Sequence, residues 1–82
     1  YNQGVVNVRL GLIKREEGNQ QEAIEVFRKA ESIFSSFGAR ADLERAKTLF
    51  YLAESYWQMK DYVKTICTRR EALRIWRALK KA

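Results

Sequence analysis

The feature that most constrains the fold is an internal repeat: the chain resembles itself when it is shifted by 42 residues. Small and apolar residues of the first half then fall on small and apolar residues of the second half. The coincident pairs are Leu10 with Leu52, Gly11 with Ala53, Ala30 with Ala72, and Ile33 with Ile75. A repeat of this length predicts one supersecondary unit used twice, because helical arrays have periods of roughly 20 to 50 residues.

Each half is predicted to form two helices. The chain of 82 residues has no proline and only four glycines, and so few breakers favour long helices over a fold with many turns. The predicted helices cover residues 5–17, 20–37, 41–60 and 62–80. The expected fold is all-α, with four helices in two antiparallel helix-turn-helix repeats. Residues 1–82 are expected to form a single segment, with repeat one over about 4–38 and repeat two over about 41–80.

Apolar residues recur at helical spacing in all four predicted helices. In the first helix, Val6, Leu10 and Ile13 form one apolar stripe, which we expect to be its packing face. The apolar positions of the other helices are Ala23, Ile24, Phe27, Ala30, Phe34, Phe37, Leu49, Leu52, Ala53, Tyr56, Ile66, Leu73, Trp76 and Leu79. Gly11 stands in the middle of the first helix, where glycine costs about 1 kcal/mol relative to alanine. A neighbouring helix is therefore expected to approach closely at Gly11.

Turn signals separate the two helices of each repeat. Gly18 suits the left-handed conformation of the residue that follows a helix, and Asn19 can cap the helix that begins next. Asp61 occupies the position of Asn19 in the second repeat. Asp61 is therefore expected to cap the last helix.

The order of these residues resembles the tetratricopeptide repeat family. In the first copy it is Leu10-Gly11, Gly18-Asn19-Gln20, Ala23-Ile24, Phe27 and Ala30, and in the second it is Leu52-Ala53, Tyr56, Asp61-Tyr62 and Ala72. The second copy departs from the pattern at Thr65 and Arg69, which stand where Ala23 and Phe27 stand in the first.

The resemblance covers about residues 4–80 and implies a right-handed α-solenoid fragment. The period exceeds the usual one of about 34 residues, and the additional residues, around 35–43, imply helices extended at the end of one repeat and the start of the next.

The resemblance also implies a binding groove, since in this family the first helix of each repeat lines a concave face. The implied groove residues are Val8, Arg9, Leu12, Arg15, Lys47, Phe50, Tyr51, Glu54, Trp57 and Gln58. This mixed apolar and basic surface would suit a peptide or helix with an acidic component. Phe50 and Trp57 are the strongest candidates, because aromatic side chains are enriched at binding hot spots. The alternative is that Phe50 and Trp57 pack against another helix of the superhelix.

The last helix carries much of the positive charge of a chain whose net charge is +6. Arg70, Arg74, Arg77 and Lys81 recur at helical spacing and form a basic stripe on one face. A regulatory or nucleic-acid-associated segment that uses this stripe is the alternative function. A solvated helix face is favoured over it, since no aromatic side chain lies on the stripe for base stacking.

The last helix also has apolar residues on two sides, with Ile75 and Leu79 on one and Leu73 and Trp76 toward the other. One side packs on its partner helix, and the other would be exposed in a monomer of this length. Because the end of a helical array needs a polar outer face, Leu73 and Trp76 predict contact with further repeats or association into a homo-oligomer.

Residues that could carry chemistry are scarce. Histidine, the commonest general base and metal ligand, does not occur. Cys67 lies in mid-helix and is expected to be a buried or half-buried structural side chain. No phosphate-binding loop or paired-cysteine motif is present. The chain is not expected to be an enzyme, and no catalytic, cofactor-binding or metal site is predicted.

The remaining sequence features concern location and context. A single cysteine fits a reducing compartment, and no apolar run approaches the roughly 18 residues of a membrane span. The expected location is the cytoplasm, with no membrane partner. Tyr1 in the first place, rather than Met, indicates a segment of a larger protein. The predicted function is a protein–protein interaction scaffold, and a structural spacer without its own partner is a third interpretation.

Overall fold

Four helices follow one another in the computed structural model, which describes residues 2–81. They are α1 (Asn2–Glu16), α2 (Gln20–Ser36), α3 (Asp42–Gln58) and α4 (Tyr62–Lys81), with a short 3-10 helix at Gly38–Ala41. No strand occurs in this part of the chain. The predicted all-α fold of four helices is confirmed, and each predicted helix boundary lies within one turn of the observed one. The ends of the predicted segment, Tyr1 and Ala82, lie outside the described residues.

Each helix packs mainly on its neighbours along the chain. α1 packs on α2, α3 packs on α4, and α2 joins the two pairs by packing on α3. The contact between α1 and α3 is much smaller. The result is a row of two helical hairpins, the arrangement in which each unit of a repeat array contacts its neighbour.

The turns that close the two hairpins have the same hydrogen bonds. The N–H groups of Gly18 and Asn19 donate to carbonyl oxygens of α1 over 3.0 and 2.9 Å, and those of Lys60 and Asp61 donate to carbonyl oxygens of α3 over 2.9 Å each. This is the Schellman arrangement, which needs one left-handed residue just after the helix. Gly18 has a φ of 83° and Lys60 a φ of 63°. The predicted role of Gly18 is confirmed, and a lysine takes the same conformation in the second turn.

Side chains cap the second helix of each hairpin, as predicted. Oδ1 of Asn19 accepts a hydrogen bond from the N–H of Glu22 over 3.4 Å. Oδ1 of Asp61 accepts one from the N–H of Lys64 over 3.3 Å. Each cap satisfies one of the backbone donors that the first turn of a helix leaves free.

The core consists of two apolar clusters. The larger contains Ala23, Ile24, Phe27, Ala46, Leu49, Leu52, Tyr56, Ala72 and Ile75, and the smaller contains Ala30, Phe34 and Ala41. Ala23, Ala30 and Ala72 are fully buried, and their small size lets the large side chains of facing helices interdigitate with them. Leu49, Leu52, Ala53 and Tyr56, the apolar positions predicted for the third helix, are all buried in α3.

The face that α1 presents to α2 is built around glycine. Gly4 and Gly11 are buried against the rings of Phe34 and Phe27 respectively. The close approach predicted at Gly11 is therefore confirmed. The half-buried side chains beside this face are Val5, Val8 and Leu12.

The prediction that Val6, Leu10 and Ile13 form the packing face of α1 is wrong. These side chains are 62%, 40% and 54% exposed. The stripe exists, but it points away from α2, because the phenylalanine rings of α2 pack against the glycine face of α1. Within the described residues, no helix covers it.

The residues that lengthen the period form a break rather than a helical extension. Gly38 has a φ of 67°, a left-handed conformation that an α-helix does not continue. The 3-10 helix Gly38–Ala41 follows, and Ala41 is buried in the smaller core cluster. α2 and α3 are long, at 17 residues each, but the extension predicted across residues 35–43 is interrupted.

Candidate functional site

A recess lies between α1 and α3, and we call it the groove recess. Its lining residues are Val5, Val8, Arg9, Phe34, Glu44, Lys47, Thr48 and Tyr51. The floor is largely apolar, with Phe34 buried and Val8 half-buried. Four of the predicted groove residues meet here, namely Val8, Arg9, Lys47 and Tyr51.

A second recess lies between α3 and α4, at the end of the row of helices, and we call it the end recess. Its lining residues are Phe50, Ala53, Glu54, Trp57, Gln58, Thr65 and Arg69. Its volume of about 440 Å³ exceeds the 180 Å³ of the groove recess. Four residues predicted for the same groove lie here instead, namely Phe50, Glu54, Trp57 and Gln58. The structure therefore divides the predicted groove between two surfaces.

Arg15 and Leu12, the remaining predicted groove residues, line neither recess. The guanidinium of Arg15 donates a hydrogen bond to the carboxylate of Glu54 and lies 5.7 Å from the ring centroid of Tyr51. Leu12 is half-buried and packs against the larger core cluster. Both residues thus connect α1 to the rest of the protein.

The aromatic residues of α3 differ in how much surface they leave free. Trp57 is 58% exposed, and its ring meets that of Tyr62 edge-on at a centroid distance of 5.0 Å. Phe50 is half-buried against the larger core cluster. Tyr51 stacks on Phe27 at a centroid distance of 5.8 Å. Trp57 therefore offers more free aromatic surface than Phe50 or Tyr51.

Positive charge predominates at the rim of the groove recess. Arg9 and Lys47 are exposed, and neither forms an ion pair with another residue of the described chain. Glu44 contributes one half-buried carboxylate. Two unpaired cations over an apolar floor favour an acidic ligand.

The structure brings the four residues of the basic stripe together. Arg70, Arg74, Arg77 and Lys81 surround a shallow depression with Ala78, and all four are exposed. The guanidinium of Arg74 donates two hydrogen bonds to the carboxylate of Glu71. These bonds hold the pKa of Glu71 below its ordinary value and raise the pKa of Arg74. Glu71 thereby offsets part of the charge of the stripe.

Arg45 forms a half-buried ion-pair network that the sequence analysis missed. Its Nε donates to Oε1 of Glu31 over 2.9 Å, and its Nη2 donates to Oε1 of Glu71 over 3.5 Å. The network ties α3 to both α2 and α4. Because the three residues lie on three helices, no pairing rule within one helix could have revealed it.

The outer side of α4 carries apolar side chains, as predicted. Ile66 and Trp76 are 54% and 37% exposed, and Leu73 is half-buried, whereas Ile75 on the inner side is buried. The ammonium of Lys80 lies 5.6 Å from the ring centroid of Trp76.

The prediction that Cys67 is buried or half-buried is wrong: Cys67 is exposed, because α3 covers only one side of α4.

Both recesses are lined by apolar, aromatic and charged side chains, a mixture that suits contact with another polypeptide. Within residues 2–81, no group of three or more histidine, cysteine, aspartate or glutamate side chains is placed to hold a metal ion. No helix of this described range is long and apolar enough to cross a bilayer.

Comparison with known proteins gives one result that covers nearly the whole chain. A family model described as tetratricopeptide repeat matches residues 3–80, a range that covers nearly all of both hairpins. Neither a curated protein nor a solved structure matches the chain.

Proposed function

The chain belongs to the tetratricopeptide repeat family, and from this premise we propose that it binds a peptide or a helix of a partner protein in the groove recess. Repeats of this family generally mediate protein–protein interactions and are typically non-catalytic. The proposed activity is therefore binding, without a catalytic step. The proposed ligand is amphipathic and acidic.

The observation that carries this proposal is the pairing of an apolar floor with free cations at one recess. Val8 and Tyr51 supply half-buried apolar surface, while Arg9 and Lys47 supply charge without a partner in the described chain. An amphipathic helix places apolar residues on one face and can hold acidic residues beside it. Such a ligand would bury its apolar face on the floor and pair its carboxylates with the rim.

We assign the ligand to the groove recess rather than to the end recess. The end recess is the counterpart, one repeat later, of the surface of α1 and α2 that α3 covers. Trp57, for example, stands where Arg15 stands in the first repeat, and Arg15 contacts α3. By its position in the repeat, the end recess is a surface on which a further helix would pack, rather than the site of the peptide.

We further propose that the chain acts in the cytoplasm as part of a larger protein. The single cysteine supports this location, since disulfide-poor proteins are typical of reducing compartments.

The test uses two fluorescent synthetic peptides, one built from glutamate and leucine as an amphipathic helix and one with lysine in place of glutamate. Fluorescence anisotropy should show tighter binding of the acidic peptide. The double variant Arg9→Glu with Lys47→Glu should weaken that binding about tenfold, because an exposed ion pair contributes up to about 1 kcal/mol and a tenfold change corresponds to about 1.4 kcal/mol.

The matched control is Arg28→Glu with Lys29→Glu, which makes the same charge change at exposed positions of α2. This variant should bind the acidic peptide with nearly unchanged affinity. Equal binding of the acidic and basic peptides, or equal losses in both double variants, would contradict the groove assignment. Salt-sensitive binding of a DNA duplex that is lost on reversing Arg70 and Arg77 would instead support the basic stripe as the binding surface.

A further inference from the structure

Two apolar faces lie at opposite ends of the row of helices. The α1 face consists of Val6, Leu10 and Ile13, and the α4 face consists of Ile66, Leu73 and Trp76. Neither face is covered by another helix of the described chain. Exposed apolar residues that share one face of a helix are candidates for an interaction surface.

The α1 face has a buried counterpart one period later in the sequence. Val6, Leu10 and Ile13 correspond to positions 48, 52 and 55, where Thr48, Leu52 and Ser55 are 0%, 5% and 0% exposed. Two of these residues of α3 lie beside residues of α2. Leu52 shares the larger core cluster with α2 residues, and Thr48 lines the groove recess beside a phenylalanine of α2.

The α4 face has its counterpart one period earlier. Ile66, Leu73 and Trp76 correspond to positions 24, 31 and 34 of α2. Ile24 and Phe34 are buried, and the carboxylate at position 31 accepts a hydrogen bond from α3. Most positions of the two exposed faces therefore correspond to residues at the contact that α2 and α3 make inside the chain, while Phe34 also packs on Gly4 of α1.

We propose that the chain self-associates head to tail, with the α1 face of a second copy packed on the α4 face of the first as α3 packs on α2. The occupant is a second copy because the chain carries both halves of a contact that it already makes internally. The proposal does not rest on peptide binding in the groove recess, although Arg9, which lines that recess, also takes part in the proposed contact.

The end recess supports this arrangement. Inside the chain, Tyr51 lies beneath the guanidinium of Arg15. In the proposed contact, α1 of the second copy occupies the position that α3 has inside the chain. Arg9 of the second copy then takes the place of Tyr51, and Trp57 of the first copy takes the place of Arg15. The cation and the aromatic ring exchange roles, and the cation–π contact is kept.

The proposed contact is more apolar than its internal counterpart. The ion pair between Arg15 and Glu54 becomes a contact between Trp57 and Leu12 of the second copy. Each copy has a net charge of +6, and Arg69 of one copy lies near Arg9 of the other. Association should therefore strengthen as salt screens this repulsion.

The test is analytical ultracentrifugation of the 82-residue chain and of two variants, Leu10→Glu on the α1 face and Ile66→Glu on the α4 face. The mass of the wild-type chain should rise with concentration past that of a dimer, because a head-to-tail contact leaves one face free at each end. Each variant should weaken self-association by more than about tenfold, since a buried unpaired charge is costly. An equimolar mixture should form a one-to-one complex, because each variant keeps the face that the other has lost.

The matched control is Val63→Glu, which adds the same charge at a residue of α4 that is 73% exposed. Its counterpart one period earlier, Gln21, is exposed within the chain, so this variant should associate like the wild type. Circular dichroism should show equal helicity for all four proteins. A monomeric wild type at millimolar concentration in high salt would overturn the proposal. A dimer that persists in the Leu10→Glu variant would also overturn it, since such a dimer would pair two α4 faces. The same holds if the mixture of the Leu10→Glu and Ile66→Glu variants fails to associate.

Discussion

Gly11 and Phe27 fit together so closely that a Cβ placed on Gly11 would lie 2.5 Å from Cε1 of the Phe27 ring. The ring is fully buried. One period later, Ala53 takes the place of Gly11 and Arg69 that of Phe27. The position of Gly11 therefore needs a glycine only in the first hairpin, where a phenylalanine ring packs against it.

This relationship predicts that Gly11→Ala destabilises the protein. Overpacking of a core costs about 1–3 kcal/mol, which outweighs the gain of about 1 kcal/mol from replacing glycine in a helix. Urea unfolding followed by circular dichroism should show a lower free energy of unfolding. In the background of Phe27→Leu, which removes the ring edge, the same substitution should cost much less. A stabilised Gly11→Ala variant would show that the two helices can move apart freely.

The left-handed turn residue Lys60 predicts a stabilising substitution. Lys60→Gly should raise the free energy of unfolding by about 1 kcal/mol, because a left-handed conformation costs a residue with a Cβ about 1–2 kcal/mol. The greater entropy of glycine in the unfolded chain reduces this gain. The reciprocal change, Gly18→Lys in the equivalent turn, should destabilise the protein. Thermal unfolding of both variants tests the pair, and shifts of the same sign would contradict the equivalence of the turns.

Loss of Arg45 should be more costly than loss of an unpaired surface arginine. Arg45→Met leaves the carboxylates of Glu31 and Glu71 without their shared partner and should lower the free energy of unfolding by about 1–3 kcal/mol. Arg40→Met, at an exposed position, is the control and should have little effect. Adding Glu31→Gln to Arg45→Met should restore part of the loss, which a double-mutant cycle would measure. Strict additivity of the two changes would show that the ion pair contributes nothing.

The lowered pKa of Glu71 predicts a pH-dependent contribution to stability. Because hydrogen bonds from Arg74 favour the ionised carboxylate, this contribution is fully present above the ordinary pKa of 4.5 and is lost as the pH falls through the lower pKa of the folded state. The wild type should therefore be more stable than Glu71→Gln at neutral pH, with a difference that shrinks in acid. Urea unfolding across this range is the measurement. A difference that does not change with pH would assign the effect to packing.

The sequence predicted local features well, because local features depend on nearby residues. Gly18, Asn19 and Asp61 act at the ends of helices, where the identity of one residue decides the conformation. The burial of Leu49, Leu52, Ala53 and Tyr56 in α3 was predicted correctly because other helices pack on both sides of α3 and cover this stripe. The same reasoning failed for Val6, Leu10 and Ile13, since an apolar stripe does not reveal which helix, if any, covers it.

The candidate sites were predicted less completely. Family resemblance assigned groove residues to helices, but whether a residue such as Trp57 lies beside α1 or α4 depends on how the hairpins stack. The contact of α1 with α2 depends on Gly4 and Gly11, which carry no hydrophobic signal. The network around Arg45 joins three helices and leaves no periodic trace in the sequence.

The placement of α2 and α3 in the middle of the row has a consequence for how the protein loses its structure. These two helices are packed on both sides, whereas α1 and α4 each pack mainly on one neighbour. In a linear arrangement of this kind, opening can begin at either end without disturbing the centre. Amide hydrogens of α2 and α3 should therefore exchange with solvent more slowly than those of the outer helices. The contact between α2 and α3 should be the last part of the structure to open.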